Sequence, residues 1–387
     1  MSAPERILQV IGSLNNGGSQ AMILNLYRSI DRTKVQFDFI VDHPKEMYLA
    51  DEVKSLGGRI YFLPTFTGFN IKEVCAAWET FFNSHPEYRI IHTHVRSYAA
   101  IYLGIAKKHG LVTISHSHST SSGEGFKAAV KNVLQIRLRY VSDYMFSCSE
   151  QAGVWLYGKK AAASPRHFVL NNAIDTKKYI YSHDKAKAER SVLGIPEDSL
   201  VLGHVGRFIK VKNQSFVIEV FSKVHELYSD SYLLLVGDGE MLKEAKEKVK
   251  SLSLEKYVIF TGQSRKVPEL MMATDVLVFP SLFEGLPVTL VEAQASGLPC
   301  VISDTVDAKS DMTGLITRLS LSEPCFSWAN AVIEAKTDHR RDTSKEISDG
   351  GYDITTTAKW LSDFYLAKSG RKQQAKPEKQ AANQRRF

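Results

Sequence analysis

The chain has few cysteines and no long apolar run among its 387 residues. The four cysteines are far apart, and no Cys-x-x-Cys pair occurs, which argues against a zinc or redox motif and favours reduced thiols in a cytosol. No apolar stretch approaches the roughly 20 residues that cross a bilayer. The first residues carry an acid and lead directly into a strand-like segment, so we expect no signal peptide and a cytoplasmic location.

Aromatic residues are also scarce where the basic charge is highest. The net charge is +7, and the segment 369–387 carries six Lys and Arg residues against one Glu, which is +5. Its composition predicts a disordered, solvated tail, with attraction to an anionic membrane surface as the alternative. Because aromatic residues do not alternate with the basic ones, we expect no nucleic-acid partner.

Strand-like apolar segments alternate with amphipathic segments, and the alternation restarts in the second half of the chain. We predict seven strands in the first half and five in the second, and each half opens with a strand that ends in glycine, Gly12 or Gly206. This pattern predicts an α/β fold with two doubly wound, Rossmann-like domains facing across a cleft. The expected segments are an N-terminal domain at 1–175, a C-terminal domain at 176–352, a helix at 353–368 that can return to the N-terminal domain, and the tail at 369–387.

The most informative segment, Ser281–Pro299, follows a predicted strand and begins a helix at Pro287. The open amides and the dipole of a helix start bind phosphate. Glu284 precedes this start and Glu292 lies within the first turns. A carboxylate pair beside an anion site suits a nucleotide sugar, because an acid can hold hydroxyls while the amides hold phosphates. Capping and surface charge are the alternative interpretation.

The Glu-x7-Glu spacing, set in Phe-Glu-Gly-Leu-Pro…Glu-Ala…Gly-Leu-Pro-Cys-Val-Ile, resembles the signature of family-4 retaining glycosyltransferases of the GT-B fold. The resemblance covers most of Arg6–Leu319 and is closest to the bacterial capsule and exopolysaccharide type. It implies an acceptor-binding N-terminal domain and a nucleotide-sugar-binding C-terminal domain. At Asn171–Asp175 the family's Pro-Asn-Gly-Val-Asp junction has lost its Pro and Gly, which weakens the match at the expected interdomain crossing.

A second motif begins where the strand ending at Val205 meets Gly206 and Arg207. The family pattern then requires a lysine about five residues on, which Lys212 matches better than Lys210. Two fixed cations would stabilise the negative charge that develops on a departing diphosphate. Exposed cations without such a role are the alternative.

The resemblance implies a complete set of site residues. Glu284, Arg207, Lys212 and His116 are the implied catalytic residues, with Glu284 holding the sugar and placing charge, and His116 contacting the transferred sugar. Glu292 would hold the ribose, and His94 and Arg96 would line the acceptor side. The implied donor-binding residues are Gly17, Gly18, Gly206, Gly237, Gly262, Gly285, Leu286, Pro287 and Glu292. For Gly17 and Gly18, a tight turn without a ligand is an equal alternative from the local sequence.

Four histidines, His92, His94, His116 and His118, lie at the ends of two predicted strands. Such a set suggests a metal site. We nevertheless predict no metal, because the two members of each pair are expected to point to opposite faces and no Cys or Glu-His spacing accompanies them. His92 and His118 are assigned no role.

The predicted enzyme transfers a hexosyl group with retention from a nucleotide diphosphate sugar, with UDP favoured, to a glycan acceptor. The expected acceptor is a lipid-linked oligosaccharide of capsule or exopolysaccharide synthesis. No Asp-x-Asp motif is present to hold a metal on the donor, so we expect neither a metal nor another cofactor. The alternatives are a nucleotide-sugar epimerase or hydrolase on the same fold, and a non-catalytic nucleotide-sugar-binding protein.

A basic amphipathic segment, Gly125–Val141, bears on membrane contact. It predicts either peripheral binding to the inner face of the cytoplasmic membrane or a helix whose apolar stripe packs on its own domain. The two alternatives are equally supported by the sequence.

Overall fold

A computed structural model describes residues 3–15, 18–43, 47–119, 126–284, 286–337 and 339–370, without the side chains of 126–130. The described chain divides into two compact units. The first comprises the chain up to Ala173 together with the segment from Gly351 onward, and the second is Ile174–Gly350. Each unit is built on one parallel sheet covered by helices, which confirms the prediction of two doubly wound α/β domains.

The first unit contains a seven-stranded sheet in the order β3-β2-β1-β4-β5-β6-β7. The strands are β1 Glu5–Ile11, β2 Val35–Val41, β3 Ile60–Phe62, β4 Ile90–Thr93, β5 Val112–Ser117, β6 Tyr144–Ser147 and β7 His167–Val169. The helices between and after them are α1 Gly18–Ser29, α2 Ala50–Ser55, α3 Ile71–Ser84, α4 Ala99–Lys108, α5 Phe126–Gln135, α6 Leu138–Val141, α7 Glu150–Tyr157 and α8 Lys159–Ala162.

Both faces of the first sheet are buried, as apolar strands of a parallel sheet require. Residues of β1 alternate between two cores, since Ile7 packs with Phe37 on one face and Leu8 packs with Trp78 on the other. The order of the strands reverses direction between β1 and β4. The loops after these two strands therefore border the crevice where doubly wound sheets bind ligands.

The second unit contains a six-stranded sheet in the order β10-β9-β8-β11-β12-β13. Its strands are β8 Leu200–Val205, β9 Ser231–Val236, β10 Val258–Gly262, β11 Val276–Phe279, β12 Cys300–Ser303 and β13 Ile316–Leu319. Its helices are α9 Thr176–Tyr179, α10 His183–Leu193, α11 Gln214–Leu227, α12 Leu242–Ser251, α13 Val267–Ala273, α14 Val288–Ala295, α15 Cys325–Ala335 and α16 Ser344–Asp349, with 3-10 turns at Lys210–Lys212 and Ala308–Ser310.

The prediction of five strands in this unit was wrong by one, because β13 was missed. This strand is short, carries Thr317 and Arg318, and lies at the edge of the sheet, where its residues are only partly buried or exposed. An edge strand needs no continuous apolar run, so periodicity alone does not reveal it.

The C-terminal helix α17, Ile354–Lys368, belongs to the first unit. Asp353 caps its start by accepting a hydrogen bond from the Thr356 amide at 2.8 Å. Its apolar face, which includes Leu361 and Tyr365, packs into the same core as Phe37. A segment far along the chain thereby completes the first unit.

Two features bear on membrane contact. Among the helices that the structure describes, none is both long and apolar enough to span a bilayer. Helices α5 and α6 occupy the predicted basic amphipathic segment, and Val133, Ile136 and Tyr140 are exposed there while Leu138 is buried. The basic tail from residue 371 onward, like Gly125, lies outside the described residues.

Glycine is required where β9 leaves the second sheet. Gly237 has a φ of 136°, and a Cβ built on it would lie 2.0 Å from the carbonyl oxygen of Gly206. No side chain fits at that distance, so the loops after β8 and β9 approach each other as closely as they do only because position 237 is glycine.

We expect Gly237→Ala to lower the free energy of unfolding by about 3 kcal/mol or more, because backbone strain adds to a backbone clash. Gly194→Ala is the matched control: Gly194 has a φ of 71°, but a Cβ there meets no atom within 4 Å, so only the left-handed conformation costs about 1–2 kcal/mol. Urea unfolding of both variants measures the difference. Equal losses for the two variants would contradict the close approach at Gly206.

Candidate functional site

The ends of β8 and β11 bring two loops together in the second unit. These strands are direct neighbours, and the strand order reverses direction between them. The loop after β8 carries Arg207 and the 3-10 turn Lys210–Lys212, and the loop after β11 carries Glu284. The Leu282 amide donates a hydrogen bond to the Val211 carbonyl at 2.8 Å and ties the loops to each other. A crevice of this kind is the usual ligand site of a doubly wound sheet.

An ion pair between Lys212 and Glu284 lies at the centre of this site. The Lys212 Nζ is 2.7 Å from the Glu284 Oε1, and the two side chains are only 15% and 20% exposed. The Lys212 Nζ also lies 4.5 Å from the centre of the Phe279 ring. Partial burial limits screening by water, so the two charges interact more strongly than a surface pair does.

Asn213 holds the loop that carries Lys212. It adopts a left-handed conformation with a φ of 56°, and its Nδ2 donates to the Pro280 carbonyl at 3.2 Å. Asparagine tolerates this conformation better than most residues. The turn between Lys212 and α11 is thereby attached to the end of β11.

Arg207 is exposed, and its backbone is held in place by two buried residues, His204 and Gln214, which were not predicted from the sequence. The Gln214 Nε2 donates to the Arg207 carbonyl at 2.9 Å and lies 3.3 Å from the His204 Nε2. Burial lowers the pKa of His204 to about 4, so its ring is neutral. The His204 Nδ1 therefore donates to the Val278 carbonyl at 2.9 Å. The sequence did contain a signal for this buried polar network, because a histidine, His204, interrupts the otherwise apolar strand Leu200–Val205.

Three of the predicted donor-binding glycines come together at the ends of adjacent strands. The Gly237 amide donates to the Gly262 carbonyl at 2.9 Å, and Gly206 donates to the Val236 carbonyl at 3.0 Å. Because glycine has no side chain, a ligand can approach the backbone closely at these positions.

The helix start predicted to bind phosphate differs slightly from the expectation. The helix begins at Val288, and Pro287 occupies the cap position before it instead of the first helical position. Leu286 precedes the cap, and Gly285 lies outside the described residues. The first residue of α14, Val288, still lies only four positions after Glu284 in the chain.

Glu292 lies on α14 and is paired with a tyrosine. The Tyr179 hydroxyl, from α9, donates to the Glu292 Oε1 at 2.6 Å. Burial raises the pKa of Glu292 to about 7, although the hydrogen bond from Tyr179 acts in the opposite direction. Tyr179 was not predicted as a site residue, because it lies in the connecting segment 113 positions away from its partner.

In the first unit, the predicted residues lie at the carboxyl ends of β1, β4 and β5. Gly18 begins α1, and Gly17 lies outside the described residues. The ring centres of His94 and His116 are 5.3 Å apart. The Arg96 guanidinium lies 4.9 Å from the centre of the Trp155 ring, and burial lowers its pKa.

The expectation that the paired histidines point to opposite faces was wrong. The ring centres of His92 and His94 are 4.5 Å apart, and those of His116 and His118 are 4.1 Å apart. Residues two apart on a strand share one face of the sheet. Since β4 and β5 are neighbours, all four rings form one group.

Comparisons with known proteins identify glycosyltransferases as relatives of this chain. Residues 185–314 match the family described as glycosyl transferases group 1. The chain is 35% identical over 372 residues to a Bacillus subtilis (strain 168) protein named "Putative glycosyltransferase EpsF", covering 94% of this chain and 97% of the relative. It is 24% identical over 347 residues to an Escherichia coli protein named UDP-Gal:alpha-D-GlcNAc-diphosphoundecaprenol alpha-1,3-galactosyltransferase, covering 84% and 86% of the two chains.

Solved structures with the same fold include Anabaena Alr3699/HepE in complex with UDP and glucose. The similarity has a TM-score of 0.74 at 18% identity and covers 93% of this chain and 99% of that chain. A glycosyltransferase from Rickettsia africae ESF-5 has a TM-score of 0.76 at 14% identity, covering 95% and 100% of the two chains. At these identities the similarity concerns the fold, and it agrees with the predicted GT-B class.

The raised pKa of Glu292 predicts a pH-dependent stability. The unfolded chain releases this proton near the ordinary value of 4.5, whereas the folded protein keeps it until about pH 7. Between these values the folded state binds more protons, so its free energy of unfolding falls as the pH rises. In Glu292→Gln the fall between pH 5 and pH 8 should be smaller by about 2–3 kcal/mol, as measured by urea unfolding.

Tyr179→Phe is the control for this prediction. It removes the hydrogen bond that favours the charged carboxylate, so the fall in stability with rising pH should become larger than in the wild type. If Glu292→Gln unfolds with the same pH dependence as the wild type, Glu292 does not carry the shifted pKa.

Proposed function

This chain belongs to the group 1 glycosyl transferases, and we propose that it transfers a hexosyl group from a nucleotide diphosphate sugar, with Lys212 and Glu284 at the reacting centre. The observation that carries the proposal is the partly buried Lys212–Glu284 pair, 2.7 Å apart. It lies beside the glycine-lined ends of β8 and β9, and Glu284 is four positions before Val288, the first residue of α14. A cation, a carboxylate and open amides in one crevice suit a sugar that carries a diphosphate.

UDP is the proposed nucleotide. Anabaena HepE, which shares the fold, was solved with UDP and glucose, and the E. coli relative is named for UDP-Gal. Both observations support a uridine nucleotide in a site of this architecture. The glycine-bordered backbone at Gly262 is the proposed contact of the base, and Glu292 is the proposed acceptor of hydrogen bonds from the ribose hydroxyls.

The proposed reaction proceeds with retention on one face of the sugar. The bond from the anomeric carbon to the diphosphate oxygen breaks as the acceptor oxygen forms its new bond from the same side. The acceptor proton passes to the departing phosphate, so the protein supplies no nucleophile. Lys212, Arg207 and the first amides of α14 stabilise the charge that develops on the leaving group. No metal is needed on the donor in this scheme.

Glu284 has a different task in this reaction. Before the donor binds, its carboxylate neutralises Lys212 and fixes the position of the ammonium group. With the donor bound, the ammonium turns to the phosphate, and Glu284 accepts hydrogen bonds from sugar hydroxyls. Its negative charge also favours the positive character of the sugar in the transition state.

The acceptor side belongs to the first unit in this proposal. His116 contacts the transferred sugar, and His94 and Arg96 line the acceptor path. A lipid-linked oligosaccharide at the inner face of the membrane is the proposed acceptor, and the diphosphoundecaprenol in the name of the E. coli relative supports it. The exposed Val133 and Tyr140, on helices that also carry basic residues, support peripheral membrane contact.

Lys212→Met and Glu284→Gln should each lower kcat by about 10²–10³-fold, because each removes a charge that acts on the transition state. Lys210→Met is the matched control. Lys210 lies on the same 3-10 turn but is exposed, so its loss should change kcat less than about threefold. Release of the nucleotide from UDP-, GDP- and ADP-sugars in the presence of a chelator is the measurement.

Circular dichroism of each variant separates lost chemistry from lost structure. A folded Lys212→Met with wild-type turnover, or a loss confined to Lys210→Met, would refute the assignment. Incubation of the donor without acceptor separates the transferase from an epimerase, since only an epimerase converts the sugar of the donor.

A further inference from the structure

The four histidines of the first unit form a group that the proposed reaction does not fully use. His92 and His94 lie at the end of β4, and His116 and His118 lie at the end of β5. One ring nitrogen from each of His92, His94 and His116 lies within 4.8 Å of the other two. Three imidazoles this close, supplied by neighbouring strands, have the ligand types and the number of a tri-histidine metal site.

Several ring nitrogens in this group are buried without a hydrogen bond. Among the residues that the structure describes, the His92 Nε2, both ring nitrogens of His116 and the His118 Nδ1 have no partner. His92 and His116 are each 1% exposed, so bulk water does not reach the ring nitrogens of these two residues. An unpaired buried polar group costs about 1–3 kcal/mol. Four such atoms within one group are ligand atoms available to a metal ion.

The outer side of the group is arranged as in known metal sites. The His92 Nδ1 lies 2.6 Å from the Tyr365 hydroxyl, and the Tyr365 hydroxyl accepts a hydrogen bond from the Gln9 Nε2 at 3.3 Å. The His94 Nε2 lies 2.9 Å from the Gln9 Oε1 and donates to it, since a carbonyl oxygen only accepts. The contact with Gln9 fixes the ring orientation of His94 and leaves its Nδ1 as an electron-pair donor. The contact with Tyr365 fixes the orientation of the His92 ring, and its direction depends on the tautomer of His92.

The His94 Nδ1 is that electron-pair donor, and it faces the fourth histidine. It lies 2.7 Å from the His118 Nε2, which donates to it in the structure described here. When His118 gives up this proton to its own unpaired Nδ1, its Nε2 can also coordinate. The group therefore offers three metal ligands, and His118 can act as a fourth.

The ligand types of the group indicate the class of metal. The three clustered side chains each offer one imidazole nitrogen, and no carboxylate belongs to the set. Nitrogen ligands without a carboxylate favour zinc, copper, nickel or cobalt over magnesium and calcium.

We propose that His92, His94 and His116 bind one divalent transition-metal ion of the zinc class, with His118 as a further ligand. Nitrogens about 2.0–2.1 Å from zinc lie roughly 3.4 Å apart in a tetrahedron. The ring nitrogens must therefore approach one another by up to about 1.4 Å from the present 4.8 Å limit. The His92 ring, which is stacked on those of His94 and His116, must also turn so that the three nitrogens converge on one ion.

Occupation of this site inhibits sugar transfer. This part of the inference rests on the proposed function, in which His116 contacts the transferred sugar and His94 lines the acceptor path. A metal ion bound to His94 and His116 makes these two side chains unavailable to the substrates, so it competes with them. The ion is thus an inhibitor of the reaction and not its cofactor.

The binding test uses the untagged full chain after treatment with a chelator. Co²⁺ titration followed by visible absorption, and Zn²⁺ titration followed by calorimetry, should each give about one ion per chain with nitrogen ligands. His92→Gln should weaken the affinity at least tenfold. Tyr365→Phe, which removes the contact on the His92 Nδ1, should weaken it about 10–100-fold. His183→Gln, on an exposed histidine of the second unit, should change nothing.

An unchanged affinity in His92→Gln overturns the site, as does the absence of stoichiometric binding in the wild type. If His92→Gln does not fold by circular dichroism, His94→Gln takes its place with the same expected loss. Mg²⁺ is the ion control, and binding of Mg²⁺ as tight as that of Zn²⁺ would also overturn the proposal.

Inhibition is tested as the ratio of turnover with and without Zn²⁺ in each protein. At saturating Zn²⁺ the ratio should be about one tenth or less in the wild type. In His92→Gln it should stay much closer to one. Tight binding with an unchanged ratio overturns the inhibitory role. If the proposed function is wrong, the protein shows no turnover even without metal. The binding titration then still measures the affinity of the histidine group for the metal.

Discussion

The ion pair between Lys212 and Glu284 is the interaction on which the site depends. It exists because β8 and β11 are neighbours, although 74 positions separate their last residues, Val205 and Phe279. Lys212 and Glu284 each lie in the loop that follows their strand, at the point where the strand order reverses direction. The hydrogen bond from Leu282 to Val211 and the strained turn at Asn213 hold both loops at this edge. The pair thus arises from the topology of the sheet and makes charge available at the crevice.

Buried polar residues support this edge in each unit. In the second unit, neutral His204 and Gln214 fix the backbone of Arg207 while its guanidinium reaches solvent. In the first unit, Gln9 and Tyr365 orient His94 and His92. These networks lie partly on buried strands and partly on helices α11 and α17. Burying polar groups there is tolerated because most of them are hydrogen-bonded. The unpaired nitrogens of the histidine group are the exception, which is why that group indicates a ligand.

Much of the fold was predictable, because buried parallel strands are short apolar runs and their connecting helices are amphipathic. All seven strands of the first unit were predicted, and the family that the Glu284–Glu292 block indicated is confirmed. The missed strand, β13, is a half-polar edge strand. The expectation that the paired histidines point to opposite faces was wrong, because residues two apart on a strand lie on the same face. Tyr179 was missed because nothing in its local sequence indicates that it meets Glu292.

The sequence by itself determined the class of fold, the family and the residue types of the proposed site, since these depend on periodicity and on motifs within a few tens of residues. The tertiary structure decided which of those residues meet. It pairs Glu284 with Lys212, and it brings Tyr365 to His92 across 273 positions. Local sequence specifies the face on which a side chain lies, whereas contacts between distant residues depend on the order of strands in a sheet and on where the last helix packs.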